Sequence, residues 1–267
     1  MWGIVPAAGR GTRIQPLAFS KELLPVGSCR RGEGERPCAV SEYLVERMIL
    51  AGVDKLAFVI GAGKSDIVSY YGAGYEHAMV AYVVQPAPLG LCDAIFRASP
   101  LMREEPILVG LPDTIWFPKE GFAALPEDKL SFLLFPVARP ELFDAVLLHD
   151  DDRVRAIEVK RPGDASRWVW GAFKMPARVF HELHTLWKRA ERRDEYIGTL
   201  INAYLAEGGE AVGVRAGEAY VDVGTVNGYE AALKLLARGG RPDREADRVR
   251  LSITEPLGKT FAPMVAQ

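Results

Sequence analysis

The 267 residues hold only 3 cysteines, Cys29, Cys38 and Cys92, with no CxxC pair and no zinc spacing among them. So odd and sparse a set excludes a disulfide framework and fits a reducing compartment. No apolar run is long enough to span a bilayer. The opening Met1-Trp2-Gly3-Ile4-Val5-Pro6 lacks the basic stretch that begins a secretory leader. A cytoplasmic chain with no membrane partner is expected. Charge of one sign is scarce as well. The formal net charge is −2, which leaves no electrostatic footprint for nucleic acid. Repeats and low-complexity tracts are missing. What remains, with 49% hydrophobic and 25% charged residues, is an ordinary globular composition. A chain this long buries roughly three quarters of its unfolded surface and needs no covalent staple.

Short apolar runs alternate with amphipathic stretches through the first half. Residues 3–7 read as a buried strand, and 8–25 as a glycine-rich loop too punctuated to be an element. Val40, Tyr43, Leu44, Met48 and Ala51 recur at helical spacing, and Gly52 stops that helix. Strands are expected over 55–60, 78–84 and 106–111, with a helix over 91–98. The last of those strands is apolar throughout, as a central strand is. Alternation of this kind implies βαβ units, so the expected class is α/β: a Rossmann-like, mixed, mainly parallel sheet flanked by helices. The second half reads as strands over 130–136, 154–159, 169–175, 210–214 and 219–223, with helices over 177–192, 196–207 and 227–237. No linker is visible. One domain over 1–237 and a tail over 238–267 are expected.

The strongest chemical signal directly follows the first strand: Ala7-Ala8-Gly9-Arg10-Gly11-Thr12-Arg13, then Pro16-Leu17, then Ser20-Lys21-Glu22-Leu23-Leu24-Pro25-Val26. Glycines there let main-chain N–H groups approach a phosphate chain. Arg13 offers a planar fork and Lys21 a point charge. Two familiar phosphate motifs fail. Ile14 holds the place of the third glycine of G-x-G-x-x-G, and Phe58 stands where a Walker loop ending Gly63-Lys64-Ser65 needs its first glycine.

This loop resembles the signature G-x-G-T-R-x-x-P-L…S-K-x-L-L-P-V of the sugar nucleotidyltransferases, and its ending is most similar to the glucose-1-phosphate thymidylyltransferase branch. Other segments match in order. Arg36-Pro37 with the following helix resembles the family's next segment. Gln85-Pro86-Ala87-Pro88-Leu89-Gly90-Leu91 resembles the base-binding loop. Leu108-Val109-Gly110-Leu111-Pro112-Asp113 resembles the strand ending in a metal-binding aspartate, and Val221-Asp222-Val223-Gly224-Thr225 the segment with the second one. Lys160 falls where the family has a sugar-phosphate lysine.

The resemblance implies Mg²⁺ on Asp113 and Asp222, catalytic roles for Arg13, Lys21 and Lys160, and a nucleotide seated by Ala8, Gly9, Gly11, Thr12, Gln85 and Gly90. It implies transfer of a nucleotidyl group from a nucleoside triphosphate, dTTP by preference, to a sugar 1-phosphate, glucose 1-phosphate by preference. Those two are the expected partners, and a homo-oligomer stays open. UTP, another sugar phosphate and a paralogue without turnover are the alternatives. A glycosyltransferase would show an Asp-x-Asp motif at a strand end, whereas Asp150-Asp151-Asp152 reads as a hairpin turn.

Five departures stand out. The segment 27–35 is longer than in the family. Pro112 replaces glycine and Leu89 a small polar residue, and Tyr196-Ile197-Gly198-Thr199 lacks the usual Glu-Ile-Thr-Asp. Val159 replaces a glutamate that binds sugar hydroxyls. Glu158 and Asp164 are the nearby carboxylates that could substitute for it. His181 and His184 sit at i, i+3 with no third ligand nearby in sequence and read as structural. Trp168, Trp170 and Trp187 read as packing residues.

Overall fold

Apolar runs bounded by glycine become buried strands, and runs with helical period become the helices that cover them. The computed structural model describes residues 1–31, 34–159, 166–189, 191–192 and 194–241. Lys160, Asp164 and the expected tail from residue 242 onward lie outside the described residues. In chain order the elements begin β1 (Trp2–Ala7), β2 (Pro25–Arg31), β3 (Gly34–Ala39), α1 (Val40–Leu50), β4 (Lys55–Gly61), α2 (Ser65–Tyr71), β5 (Gly74–Tyr75), β6 (Ala78–Gln85) and α3 (Leu91–Arg97). They continue with β7 (Ile107–Gly110), β8 (Thr114–Phe117), β9 (Leu130–Pro136), β10 (Asp144–Leu148), β11 (Val154–Val159) and β12 (Trp168–Met175). Then come α4 (Ala177–Trp187), α5 (Ile197–Ala206), β13 (Ala211–Val214), β14 (Ala219–Asp222) and α6 (Val226–Ala237).

The main sheet runs β11-β10-β12-β7-β1-β4-β6-β5, with β9 and β13 attached through β12. Its centre, β7-β1-β4-β6, is parallel. The second half of the chain adds antiparallel strands at one side, so the sheet is mixed, as expected. Side chains alternate across it. On β4, Ala57 and Val59 join the core under α3, α4 and α5, while Leu56, Phe58 and Ile60 join the core under α1 and α2. A third, smaller core gathers Val26, Tyr43, Ile115 and Ala232 between the β2–β3 hairpin, β8, β14 and α6.

The crossover through α1 packs on one face and that through α3 on the other. A crevice therefore opens at the carboxyl ends of β1 and β7, the place where open α/β sheets bind ligands.

Five strands and the helix α2 escaped the sequence reading. β2 and β3 are polar and glycine-punctuated, and β5, β8 and β10 are short. The helix expected over 177–192 stops at Trp187, because the Arg- and Glu-rich run beyond offers no apolar face. Arg47 on α1 is buried. It donates to the Trp116 carbonyl at 2.9 and 2.6 Å, pinning β8 beside α1. Burial brings its pKa down to about 10. Among the described residues no helix is long and apolar enough to cross a membrane.

Candidate active site

The loop after β1 leaves the sheet at Ala8, which is buried, and passes Gly9, Thr12 and Arg13 at the surface. Gly11 sits at φ 64°, and a Cβ there would lie 2.7 Å from the Lys21 Cδ. Only glycine allows both that backbone and that lysine. The return arm is clamped to the start of α2. Ser20 donates through its amide and hydroxyl to Asp66, at 2.6 and 2.7 Å. Lys64 reaches both oxygens of the buried Glu22 at 2.7 Å. Burial, only partly offset by Lys64, pushes the Glu22 carboxyl up. Gly63-Lys64-Ser65 is thus no Walker loop. Its lysine anchors the signature loop, and Phe58 is core.

The chain leaves β7 through Leu111 and Pro112 to reach Asp113. β14 pairs antiparallel with β8, setting Asp222 opposite Thr114. The Val223 amide donates to the Asp113 carbonyl at 2.8 Å. Two aspartates far apart in sequence are thereby neighbours at the crevice. Each meets a cation from the signature loop. Lys21 Nζ binds Asp113 Oδ2, and Arg13 Nη2 donates to Asp222 Oδ2 at 3.2 Å. The Gly224 amide donates to the other Asp222 oxygen at 2.7 Å. Burial works against both charges of the first pair, but mutual attraction wins: Asp113 is held below the usual carboxylate range and Lys21 above the usual lysine value.

Gln85 ends β6 and is buried. Its Nε2 donates to Asp93 Oδ2 at 2.7 Å and to the Gly90 carbonyl at 3.2 Å. A carboxylate and a carbonyl can only accept, so the amide orientation is chemically fixed. The donor half of Gln85 is used up inside the protein, and its Oε1 remains as an acceptor for a ligand. This narrows the expectation that the residue offers both. Gly90, at φ 95°, lets this turn pass against Glu195, where a Cβ would come within 2.6 Å. Between the signature loop, the β4–α2 connection and the Gln85 turn lies a cleft of about 580 Å³, lined among others by Ala8, Arg10, Gly61, Lys64 and Pro88.

Mg²⁺ is held by one or two carboxylates plus substrate phosphate oxygens and water, not by a protein cage. Asp113 and Asp222, exposed enough to share and already balanced by cations, fit that demand. Among the described residues the one group of three close metal-type ligands is Cys29, Cys38 and Glu42. There the Glu42 oxygens already accept from Arg36, the Ala39 amide, Tyr70 and Tyr75. The aspartate run forms a turn, with Asp152 at φ 62°. Two of its three carboxylates are taken by arginines, Asp151 by Arg153 and Asp152 by Arg215, each at 2.6 Å. His184 stacks on Phe96 with centroids 5.0 Å apart, and burial lowers its pKa to about 4.

The structure therefore brings Arg13, Lys21, Asp113 and Asp222 together, while Gln85 lines the cleft and Gly90 is tied to it through the Gln85 amide. Sequence reasoning missed Glu22, Lys64 and Asp66. The available signal was the acid beside Lys21 and the Lys-Ser-Asp run after Gly63.

The nucleotidyl transferase family model matches residues 2–239. A glucose-1-phosphate thymidylyltransferase of Neisseria meningitidis is 28% identical over 236 residues, 84% of this chain and 78% of that protein. A UTP–glucose-1-phosphate uridylyltransferase of Pseudomonas aeruginosa is 30% identical over 146 residues, 46% of this chain and 49% of that one. A solved Bacillus anthracis chain, described as a glucose-1-phosphate thymidylyltransferase and holding a sucrose, shares the fold with a TM-score of 0.75. It is 24% identical, over 91% of this chain and 97% of its own. By its loop, its paired aspartates and this match along nearly all of the described residues, the chain belongs to the nucleotidyl transferase family.

Proposed function

We propose that this protein transfers a nucleotidyl group from a nucleoside triphosphate to a sugar 1-phosphate and releases pyrophosphate. The observation that carries the reading is the double pairing of Lys21 with Asp113 and Arg13 with Asp222 at the crevice beyond the carboxyl ends of β1 and β7. Such a reaction needs no protein nucleophile. An oxygen of the sugar phosphate, ionised at neutral pH, forms the new bond to the α-phosphorus. The bond from the α-phosphorus to the β-bridging oxygen breaks in line, and its electron pair leaves with pyrophosphate. The difficulty is bringing two anions together and stabilising charge in flight, so positioning and electrostatics supply the catalysis.

In this reading the amides around Ala8, Gly9, Gly11 and Thr12 cradle the triphosphate. Arg13 turns from Asp222 to the leaving pyrophosphate. Lys21 lies against the α-phosphate, and Lys160 holds the sugar phosphate. A Mg²⁺ ion on Asp113 and Asp222 would neutralise charge on the phosphate oxygens it shares. Gln85 Oε1 accepts a hydrogen bond from the base, and the Gly90 turn closes over it.

A lone acceptor at Gln85 suits the N3–H that thymine and uracil share. dTTP and UTP are therefore preferred, with dTTP favoured by the thymidylyltransferase relative matched over 84% of this chain and glucose 1-phosphate as the sugar. The test is pyrophosphate release across a grid of dTTP, UTP, CTP, ATP and GTP against hexose 1-phosphates. Release with dTTP or UTP only when a sugar 1-phosphate is present supports the reading. Silence across the grid, or release without a sugar phosphate, overturns it.

A further inference from the structure

Val159 cannot accept a hydrogen bond, yet it stands at the end of β11 beside Lys160, where the resembled sequences carry a carboxylate. Strand register shows which group faces the same space. β10 and β11 are antiparallel, and Asp144 lies directly opposite Val159. Residues opposite each other in an antiparallel pair project to the same face. The next pair on that face, Val146 with Ile157, is buried in the core under α5. Gly198 of α5 comes so close that a Cβ would lie 2.7 Å from Val159 Cγ2 and 2.8 Å from Ile157 Cγ2. This is the covered side of the sheet, and Asp144 is half-buried at its rim. Glu158 is opposite Ala145 and faces the other way.

Two further observations place the start of β10, where Asp144 sits, beside β14 and β12. Phe143, its neighbour, packs edge-on against Tyr220 with centroids 5.6 Å apart, and Tyr220 lies two residues before Asp222 on β14. On the other side of β10, Val169 of β12 pairs with Ala145. The next residue, Trp170, has a buried Nε1–H without an acceptor among the described residues.

We propose that Asp144 is the sugar-selecting residue: its carboxylate accepts a hydrogen bond from a ring hydroxyl of the bound sugar 1-phosphate, the acceptor role that Val159 cannot fill. The carboxylate has moved across one strand pairing, so the hydroxyl it reads lies toward β10. This rests on the sugar 1-phosphate acting as second substrate.

The experiment measures initial rates with the preferred triphosphate, Mg²⁺, glucose 1-phosphate and its singly deoxygenated analogues, for wild type and Asp144→Asn. A hydrogen bond to a charged group is worth about ten- to hundredfold in kcat/KM. Wild type should lose about that much with one deoxy analogue. Asp144→Asn should lose it with glucose 1-phosphate itself and show little further loss with that analogue. The KM for triphosphate and the melting temperature should stay unchanged. An equal penalty in both proteins, or a variant as efficient as wild type, overturns the assignment while the reaction stands. A wild type indifferent to every deoxy analogue overturns it even if the variant fails to fold. A wild type with no turnover on any sugar 1-phosphate overturns the proposed function, and this assignment with it.

Discussion

The amide of Val223 donates to the carbonyl of Asp113 at 2.8 Å, and this bond joins the end of β14 to the segment that follows β7 at the crevice. It continues the β8–β14 ladder by one rung and leaves the Asp113 and Asp222 side chains beside the same opening. Arg13 and Lys21 arrive from a loop clamped elsewhere, so cations and carboxylates are set by different parts of the fold.

Asp113→Asn and Asp222→Asn are each expected to lower kcat by about 10²–10³-fold, with Mg²⁺ required for wild-type turnover. Melting temperatures should change little, because Lys21 still feels Glu22 and one remaining aspartate. Steady-state rates with and without chelator check this. Full activity in chelator, or in either variant, contradicts it.

Arg13→Lys should be damaging although it keeps the charge, since the planar fork is lost. Lys21→Ala should lower kcat more than it raises the KM for triphosphate, because its charge is wanted in the transition state. If both changes act on KM alone, the two roles are misassigned.

The clamp under the loop separates breaking an ion pair from replacing it. Lys64→Met strands the Glu22 carboxylate, 1% exposed, and should cost about 3–5 kcal/mol. Glu22→Met with Lys64→Met removes both charges and should restore most of that stability. Denaturant melts of the two proteins decide it, and a double variant as weak as the single one would contradict the argument.

Much of this was legible beforehand. Arg13, Lys21, Asp113 and Asp222 could be named as candidates because their segments resemble a family's motifs in order; apolar runs alone would have left the two aspartates as turn residues. The clamp was not legible, since no period in the sequence ties Lys64 to Glu22 or Asp66 to Ser20. Gln85 was read as offering donor and acceptor because Asp93, its buried partner, lies eight residues on in what looked like a plain helix. Asp144 was invisible for another reason. β10 is too short to show a period, and without its register nothing sets Asp144 opposite Val159.

Acid stability should depend on Glu42. Burial opposes its charge, but Arg36, the Ala39 amide, Tyr70 and Tyr75 together lower its pKa from 4.5 to about 2. The folded state thus binds fewer protons than the unfolded chain between those values. The stability from this site is present above pH 4.5 and is lost as pH falls to about 2. It amounts to about 3 kcal/mol. Unfolding followed against pH should show that loss, and Glu42→Gln should flatten it. An unchanged slope in the variant would place the titration elsewhere.

The most direct test of the central claim is a mass spectrum of the products formed by the wild-type protein from dTTP or UTP, glucose 1-phosphate and Mg²⁺. A nucleoside diphosphate sugar whose mass is the nucleoside monophosphate joined to the sugar phosphate, formed one for one with pyrophosphate, is expected. Unreacted substrates, or nucleoside mono- or diphosphate with the sugar phosphate intact, would contradict it.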